Sequence, residues 1–317
     1  MTLPAVLQRP LTVPVIASPL FLASGPELVL AQCRAGVVGS FPALNARPAE
    51  LLSDWLDELK ETLAASPNAA PFAVNQIVHR SNNRLEQDMQ VIVDHQVPIV
   101  ITSLGARPEI NEAVHSYGGI VLHDITTNRF AHKAIEKGAD GLIAVAAGAG
   151  GHAGSQSPLA LVREIREWFD GPLALSGAIT HGQSILAAQA MGADFAYIGS
   201  AFLATKESNA PEPQKQLIYE SSAEDIVYSN LFTGVHGNNL RGSISASGLD
   251  PDNLAQSSPS AMSFASGDGN TKAWRDIWGS GQGIATITGK VTTQELVDRL
   301  KREYDLAREE LALVLSA

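Results

Sequence analysis

Eight short apolar runs, each followed by a segment of helical character, recur along the first two thirds of the chain. The longer runs are apolar at successive positions, which is typical of strands buried on both faces of a parallel sheet. This repeated βα order predicts an α/β fold, a closed (β/α)8 barrel of the TIM type, with an open doubly wound sheet as the alternative. The predicted strands are residues 13–17, 36–39, 72–75, 98–102, 119–123, 141–146, 172–176 and 195–199.

Helix start and stop signals separate these runs. A proline or a side chain that can cap a helix precedes most of the helical segments, and glycine follows several of them. The predicted helix starts lie at Pro26, Pro48, Asn82 or Asn83, Pro108, Asn128 and Pro158.

The βα rhythm breaks after Lys206. We predict a barrel domain formed by residues 1–207 and 274–317, and a smaller, partly helical lid domain inserted at residues 208–273. Thr292 and Glu295 form a capping-box pattern that predicts a long terminal helix packed on the barrel wall.

Charge and composition narrow the classes of partner. The 317 residues carry a net charge of −11 without any basic block, which disfavours nucleic acid and anionic membrane surfaces and favours a small-molecule ligand.

The single cysteine, Cys33, excludes an intrachain disulfide and is expected to be a buried thiol, and no metal-ligand spacing occurs. Without a signal peptide or an 18-residue apolar run, we expect a soluble, cytoplasmic protein. The oligomeric state stays open.

Small residues end the seventh and eighth predicted strands. In a barrel, the carboxyl ends of these two strands commonly hold a phosphate group. Backbone N–H groups and a serine hydroxyl there would face the phosphate, although ordinary tight turns are the alternative for either loop alone. The residues are Ser176, Gly177, Ala178, Gly199 and Ser200.

Other strand ends contribute further candidates to the same face of the barrel. Ala17, Pro19 and Leu20 lie at the end of the first strand, Asn75 at the end of the third and His123 at the end of the fifth. An amide such as that of Asn75 both donates and accepts hydrogen bonds, which suits the edge of a heteroaromatic ring.

A glycine-rich loop follows the sixth predicted strand. Five glycines between positions 141 and 154, Gly148 and Gly151 among them, surround His152. Glycine lets backbone approach a flat or phosphorylated ligand, and histidine is an acid, base or neutral donor near pH 7. A mobile loop with a surface histidine is the alternative. Since no nucleophile elbow and no strand-end lysine is present, a bound cofactor is the economical explanation of any chemistry here.

Three linked motifs resemble the nitronate monooxygenase family, also called 2-nitropropane dioxygenase, which shares its fold with flavin-dependent enoyl-acyl-carrier-protein reductases. The motifs are Gly150-Gly151-His152-x-Gly154, residues 175–179 and residues 191–203. The resemblance implies a TIM-like barrel that contains FMN and carries an inserted lid.

The resemblance also implies roles for individual residues. Gly177, Gly199 and Ser200 would hold the FMN phosphate, Asn75 would contact the isoalloxazine, and His152 would stand over the ring on the substrate side. In the family, an alkyl nitronate is oxidised with dioxygen as the acceptor, and a carbonyl compound and nitrite are formed. His152 would orient the nitronate, or act as the base that deprotonates a nitroalkane.

Two alternatives remain open. One is an NAD(P)H-dependent flavin oxidoreductase such as an enoyl-thioester reductase, and the other is a flavin-binding protein without turnover. The second is suggested by Ala147, Gly148 and Ala149, which stand where better-known family members carry a glutamine and an acidic residue. The phosphate loop also reads Gly177-Ala178 where the family commonly has Gly-Gly.

Overall fold

Eight parallel strands form the centre of the computed structural model, which describes residues 3–257 and 276–316. Their neighbour order is β1-β9-β8-β6-β5-β4-β3-β2, and backbone hydrogen bonds between Val38 and β1 close the ring. The predicted (β/α)8 barrel is therefore confirmed. The strands in the described residues are β1 (Val15–Ala17), β2 (Gly39–Pro42), β3 (Phe72–Ile77), β4 (Ile99–Ser103), β5 (Ile120–Ile125), β6 (Gly141–Val145), β7 (Gly151–His152), β8 (Leu173–Ser176), β9 (Phe195–Ile198), β10 (Ile226–Ser229) and β11 (Gly237–Leu240).

The second barrel strand begins three residues later than predicted. The apolar run places residues 36–38 within it, but Gly36 and Val37 donate their backbone N–H groups to Cys33 and Gln32 and so end the preceding helix. Gly36 also has φ +85°, a left-handed conformation that breaks the extended backbone. The paired segment therefore starts at Gly39, in register with Phe72 on β3.

Most helices start where the proline and capping signals predict. The helices begin at Pro26, Pro108, Asn128 and Pro158 as expected, whereas the second begins at Leu51, three residues after Pro48. The third begins at Leu85, and Arg84 takes the N-cap position predicted for Asn82 or Asn83. The helices are α1 (Pro26–Arg34), α2 (Leu51–Ala64), α3 (Leu85–Asp94), α4 (Pro108–His115), α5 (Asn128–Glu136), α6 (Pro158–Arg166), α7 (Gly182–Met191), α8 (Ser200–Leu203), α9 (Glu212–Glu220), α10 (Arg241–Ala246) and α11 (Thr293–Ser316).

Side chains alternate between the inside of the barrel and the helix layer. Ile101, Leu122 and Ile143 belong to the buried cluster inside the barrel, whereas Val100 and Val121 belong to the larger cluster beneath the helices. Because successive residues of a strand point to opposite faces, this register decides which strand-end residues face the interior.

The segment after α8 contains strands as well as helices. An antiparallel hairpin, β10–β11, follows α9, and β11 continues the small sheet by pairing with β7 from the glycine-rich loop. The boundary predicted at residue 273 lies outside the described residues, so the lid domain at 208–273 stays a prediction.

The terminal helix and the cysteine have the predicted environments. Thr292 and Glu295 exchange the hydrogen bonds of a capping box, and α11 packs against α1 and α7. Cys33 is buried, and burial raises the pKa of its thiol to about 12. Within residues 3–257 and 276–316, no helix combines the length and apolar character needed to cross a bilayer.

A buried arginine fixes the start of the last two barrel strands. The Arg166 guanidinium donates to the carbonyl oxygens of Phe169, Gly171 and Gly192 and lies 2.8 Å from Asp194 Oδ2. The same carboxylate oxygen accepts the N–H of Leu173 at 2.8 Å. Arg166 thus links α6 to the edges of β8 and β9, which carry the predicted phosphate loops.

Replacing Arg166 with methionine is expected to lower the free energy of unfolding by about 3 kcal/mol, because the half-buried carboxylate of Asp194 and the three backbone carbonyls lose their donor. Arg163 on the same helix is the matched control, since its side chain is 74% exposed and pairs with Glu167 at the surface. Arg163→Met should cost less than about 0.5 kcal/mol. Urea unfolding followed by circular dichroism measures both, and equal losses would contradict the assignment.

Candidate active site

A cavity of about 990 Å³ opens at the carboxyl ends of the barrel strands. All the predicted site residues except Ala17 line it. The lining residues among them are Pro19, Leu20, Asn75, His123, Gly148, Gly151, His152, Ser176, Gly177, Ala178, Gly199 and Ser200.

Ala17 lies behind the cavity wall. It belongs to the outer cluster, as its neighbour Val15 does, and its carbonyl oxygen accepts a hydrogen bond from Ser40 Oγ at 2.6 Å. The next residue, Ser18, lines the cavity instead. Strand alternation is the physical reason, because Ile16 points into the barrel and Ala17 must then point away from it.

The loops after β8 and β9 form one side of the cavity. Gly177 has φ +144°, and a Cβ there would lie 2.7 Å from the carbonyl oxygen of Ala147, so only glycine fits. Ser200 Oγ accepts hydrogen bonds from Gly281 N at 2.9 Å and from Ser280 Oγ at 3.1 Å. These bonds do not use the hydroxyl proton of Ser200, and the first N–H groups of α8 have no acceptor within that helix.

The glycine-rich loop is locked to two other segments. The carbonyl oxygen of Gly148 accepts the N–H of Ala178 at 3.2 Å and that of Gln282 at 2.9 Å. A Cβ on Gly150 would lie 2.8 Å from the backbone nitrogen of Gly281. The loop is therefore packed against neighbouring backbone and forms a fitted part of the cavity wall.

His152 is held by the β10–β11 hairpin. It pairs with Gly237 across β7 and β11, and its Nε2 lies 2.9 Å from Thr233 Oγ1. The Thr233 hydroxyl donates to the carbonyl oxygen of Val235 at 3.0 Å, so it is placed to accept from the imidazole. Desolvation lowers the pKa of His152 to about 4, and the ring is therefore neutral near pH 7.

His123 and Asp124 are consecutive residues near the end of β5 and occupy its two alternate faces. His123 Nδ1 lies 2.5 Å from Thr102 Oγ1, and burial, with a smaller contribution from the charge of Lys137, lowers the pKa of His123 to about 4. Asp124 takes the inward position, and its Oδ2 accepts from Ser103 Oγ at 2.5 Å. Burial raises the Asp124 pKa to about 6, although hydrogen bonds from Ser103 and from the N–H of Leu104 oppose that rise.

Four contributors to the site were not among the predicted site residues. Ser103 and Asp124 lie two residues after the inward-facing Ile101 and Leu122 and so occupy inward positions as well. A count of strand alternation could have found them. Asn45 fixes the loop after β1 by bonding to Leu20 and Leu22, and Thr233 reaches His152 from the hairpin. No local signal in the sequence indicates these last two contacts.

The charged residues that line the cavity are few. Among the described lining residues they are Asp124, Lys133 and Lys137, and both lysines are exposed. In an acidic chain, this arrangement places positive charge at the cavity entrance and favours anionic ligands. No group of three potential metal ligands occurs in the described part of the chain.

Sequence comparison identifies the class of protein that this barrel and cavity define. The profile of the nitronate monooxygenase family matches residues 15–303, and the chain belongs to that family. A nitronate monooxygenase of Paraburkholderia phytofirmans is 26% identical, with 94% of each chain covered. A (3aS,4S,5R,7aS)-5-hydroxy-7a-methyl-1-oxo-octahydro-1H-indene-4-carboxyl-CoA dehydrogenase of Rhodococcus jostii is 24% identical over 74% of this chain and 68% of its own. A putative monooxygenase of Mycobacterium tuberculosis is 28% identical, but the match covers 52% of this chain and only 44% of that protein.

Two solved structures have the same fold. A nitroalkane oxidase of Streptomyces ansochromogenes superposes with a TM-score of 0.79 at 24% identity, covering 94% of this chain and 97% of its own. FabK of Thermotoga maritima gives a TM-score of 0.79 at 21% identity, covering 97% and 96%. At these identities the likeness shows the fold alone. Membership of the family makes the protein an FMN-dependent oxidoreductase.

The residues present fit FMN. Ser200 and the first N–H groups of α8 supply donors on the side where a phosphate would lie. The part of the wall formed by Gly148, Gly150 and Gly177 carries no side chains, and a Cβ on Gly150 or Gly177 would overlap neighbouring protein backbone. The cavity volume is at the upper end of the range that holds a drug-sized ligand.

Gly150→Ala is expected to weaken FMN binding by about tenfold and to cost about 1 to 3 kcal/mol of stability, because its Cβ would overlap the backbone of Ser280 and Gly281. Flavin fluorescence titration of the apoprotein and thermal unfolding measure the two effects. Gly289→Ala is the control, since a Cβ there meets no atom within 4 Å. Wild-type affinity in Gly150→Ala would show that the interlocked loop does not shape the site.

His152 should stay neutral from pH 8 down to about pH 5. A lowered pKa means that the neutral imidazole is favoured, so protonation occurs only as the pH approaches about 4. The NMR shift of the ring proton, assigned with His152→Asn, measures this and should be constant across that range. A titration midpoint between pH 6 and 7 would contradict the desolvated position of the ring.

Proposed function

We propose that the protein oxidises alkyl nitronates with FMN and dioxygen, forming a carbonyl compound and nitrite. The observation that carries this proposal is the neutral His152, which lines the cofactor cavity and is held there by Thr233. Membership of the nitronate monooxygenase family supports the reaction class. The names of the Paraburkholderia relative and of the Streptomyces structure agree with it.

In this proposal, the phosphate of FMN lies at the loops after β8 and β9. Gly177, Gly199 and Ser200 would hold the phosphate there, and the ring would extend over the glycine wall toward Asn75. In the closed ring of strands, β3 lies four strands from β8 in either direction, so Asn75 faces the phosphate loops across the barrel. When bound, FMN would supply the electron transfer, which the described side chains of the cavity cannot perform.

His152 would bind and orient the substrate. Because Nε2–H donates to Thr233, the neutral imidazole would accept the α-proton of a nitroalkane at Nδ1, and orienting a nitronate oxygen would require Nε2–H to turn from Thr233 to the substrate. Because its pKa is about 4, the His152 ring carries no second proton throughout the neutral range. Lys133 and Lys137 would attract the anionic nitronate to the entrance.

A second candidate is an NAD(P)H-dependent oxidoreductase that acts on an acyl thioester. The cavity of about 990 Å³ has room for a substrate much larger than a simple nitronate beside the cofactor. The name of the Rhodococcus relative, a carboxyl-CoA dehydrogenase, favours the same substrate class. The basic entrance would suit the phosphates of such a substrate as well.

The test of the leading function is oxygen consumption with ethyl nitronate and with nitroethane, together with nitrite release. His152→Ala is expected to lower kcat/KM by about 100-fold or more with nitroethane, within the range of a lost general base, and less with the nitronate. His115→Ala, an exposed residue paired with Asp140, should leave both rates unchanged. Full activity of His152→Ala with both substrates would contradict the role of His152.

An anaerobic spectral titration separates the two candidates. Nitronate should bleach the flavin of the FMN-loaded protein within the time of turnover, whereas NADPH should not. Rapid bleaching by NADPH with no response to nitronate would replace the leading function with the second candidate. If neither nitronate nor NADPH reduces the flavin, the protein binds flavin without either activity.

A further inference from the structure

Both amide hydrogens of Asn75 are used within the protein. Asn75 Nδ2 lies 3.0 Å from the carbonyl oxygen of Ile101 and 2.7 Å from Ser103 Oγ. Since a carbonyl oxygen can only accept, the atom next to Ile101 must be the amide nitrogen. Asn75 Oδ1 receives no hydrogen bond from the described residues, and Asn75 lines the cavity.

The hydroxyl proton of Ser103 is used in a hydrogen bond to a different residue. This hydroxyl donates to Asp124 Oδ2 at 2.5 Å, so Ser103 Oγ offers only a lone pair to Asn75. Asp124 is half-buried at the cavity wall, and the N–H of Leu104 also donates to its carboxylate. The three side chains therefore form a chain of hydrogen bonds with one direction, from the Asn75 amide through the Ser103 hydroxyl to the Asp124 carboxylate.

The barrel register brings these three side chains together. Asn75 pairs with Ile101, Ile77 pairs with Ser103, and Thr102 pairs with His123 on the adjacent strands. Asn75, Ser103 and Asp124 thus occupy inward positions at the ends of β3, β4 and β5. Thr102 and His123, one residue away, form a separate pair on the alternate positions.

We propose that Asp124, acting through Ser103, holds the Asn75 amide with its oxygen toward the cavity, where Oδ1 accepts the N3–H of the isoalloxazine. In oxidised FMN, N3–H is the one N–H donor of the ring system. An amide free to rotate could offer either a donor or an acceptor, whereas this one can only accept. Asp124 and Ser103 are positioning residues in this assignment, and it rests on the proposed position of the cofactor.

The test compares binding of FMN and of 3-methyl-FMN, which lacks the N3 hydrogen, to the apoprotein. The wild type should bind FMN about tenfold more tightly than the methylated analogue, roughly the worth of one buried hydrogen bond. Ser103→Ala and Asp124→Ala should each weaken FMN binding about fivefold and reduce the preference to twofold or less. Both changes release the amide from the orientation that presents its oxygen.

Two further variants separate positioning from a general structural effect. Asp124→Asn keeps an oxygen that accepts from Ser103, so it should retain most of the preference for FMN, whereas Asp124→Ala should not. The double variant Ser103→Ala/Asp124→Ala should lose no more than either single variant, because both act through one chain of contacts. Ser53→Ala, which removes a hydroxyl bonded to His95 outside the cavity, is the matched control and should bind as the wild type does.

A wild-type preference for FMN in Ser103→Ala would overturn the proposal. Ser103→Ala removes a single oxygen atom, so it keeps the test valid even where Asp124→Ala does not fold. Equal binding of the two flavins by the wild type would also overturn it. Because these measurements need no substrate, they remain decisive when nitronate turnover fails, and a failure here leaves the proposed reaction untouched.

Discussion

The carbonyl oxygen of Gly148 accepts two backbone hydrogen bonds, and the geometry of the cavity depends on them. One comes from Ala178 in the loop after β8 and the other from Gln282 in the segment that returns to the barrel. The loop that carries His152 is thereby fixed to the loop expected to hold the phosphate. Glycine is required at Gly150 in the glycine-rich loop and at Gly281 in the returning segment, because a Cβ on either residue would lie within 3 Å of the backbone of the other segment. The loop's glycine content therefore reflects close backbone packing more than flexibility.

Alternation along the strands explains both the success and the failure of sequence reasoning about the site. The βα rhythm predicts the barrel, and strand ends in a barrel face one opening, so the sequence alone places residues such as Asn75 and Ser200 on the cavity. The same reasoning places Ala17 there, but its strand begins with Val15 on the outer face, and Ala17 shares that face. Asp124 holds the inward position that counting from Leu122 assigns to it. Counting positions is unreliable in short strands, because an error of one residue in the strand boundary assigns every side chain to the opposite face.

The environment of His152 could not be derived from local sequence. The short strand β7 exists because β11 pairs with it, and Gly237 lies 85 residues beyond His152 along the chain. Neither partner has the alternating apolar pattern of a strand, since β7 reads Gly-His and β11 reads Gly-Asn-Asn-Leu. The hydrogen bond to Thr233 and the lowered pKa follow from that pairing and from the burial it produces. The position of His152 on the cavity was predictable from the sequence, whereas its protonation state depends on contacts that the hairpin makes.

The distribution of charge in the cavity restricts how it can select a substrate. Asp124 is the one carboxylate among the described lining residues, and donors from Ser103 and Leu104 surround it, so it presents no bare negative charge to an anion. His152 is neutral and cannot attract an anion by charge. In the proposed function, attraction would therefore act through the exposed Lys133 and Lys137, while discrimination near the ring would depend on the proton that a neutral imidazole can accept. In the proposed function, a nitronate and its parent nitroalkane differ in both charge and the α-proton, so the exposed lysines and the histidine would distinguish them by separate physical means.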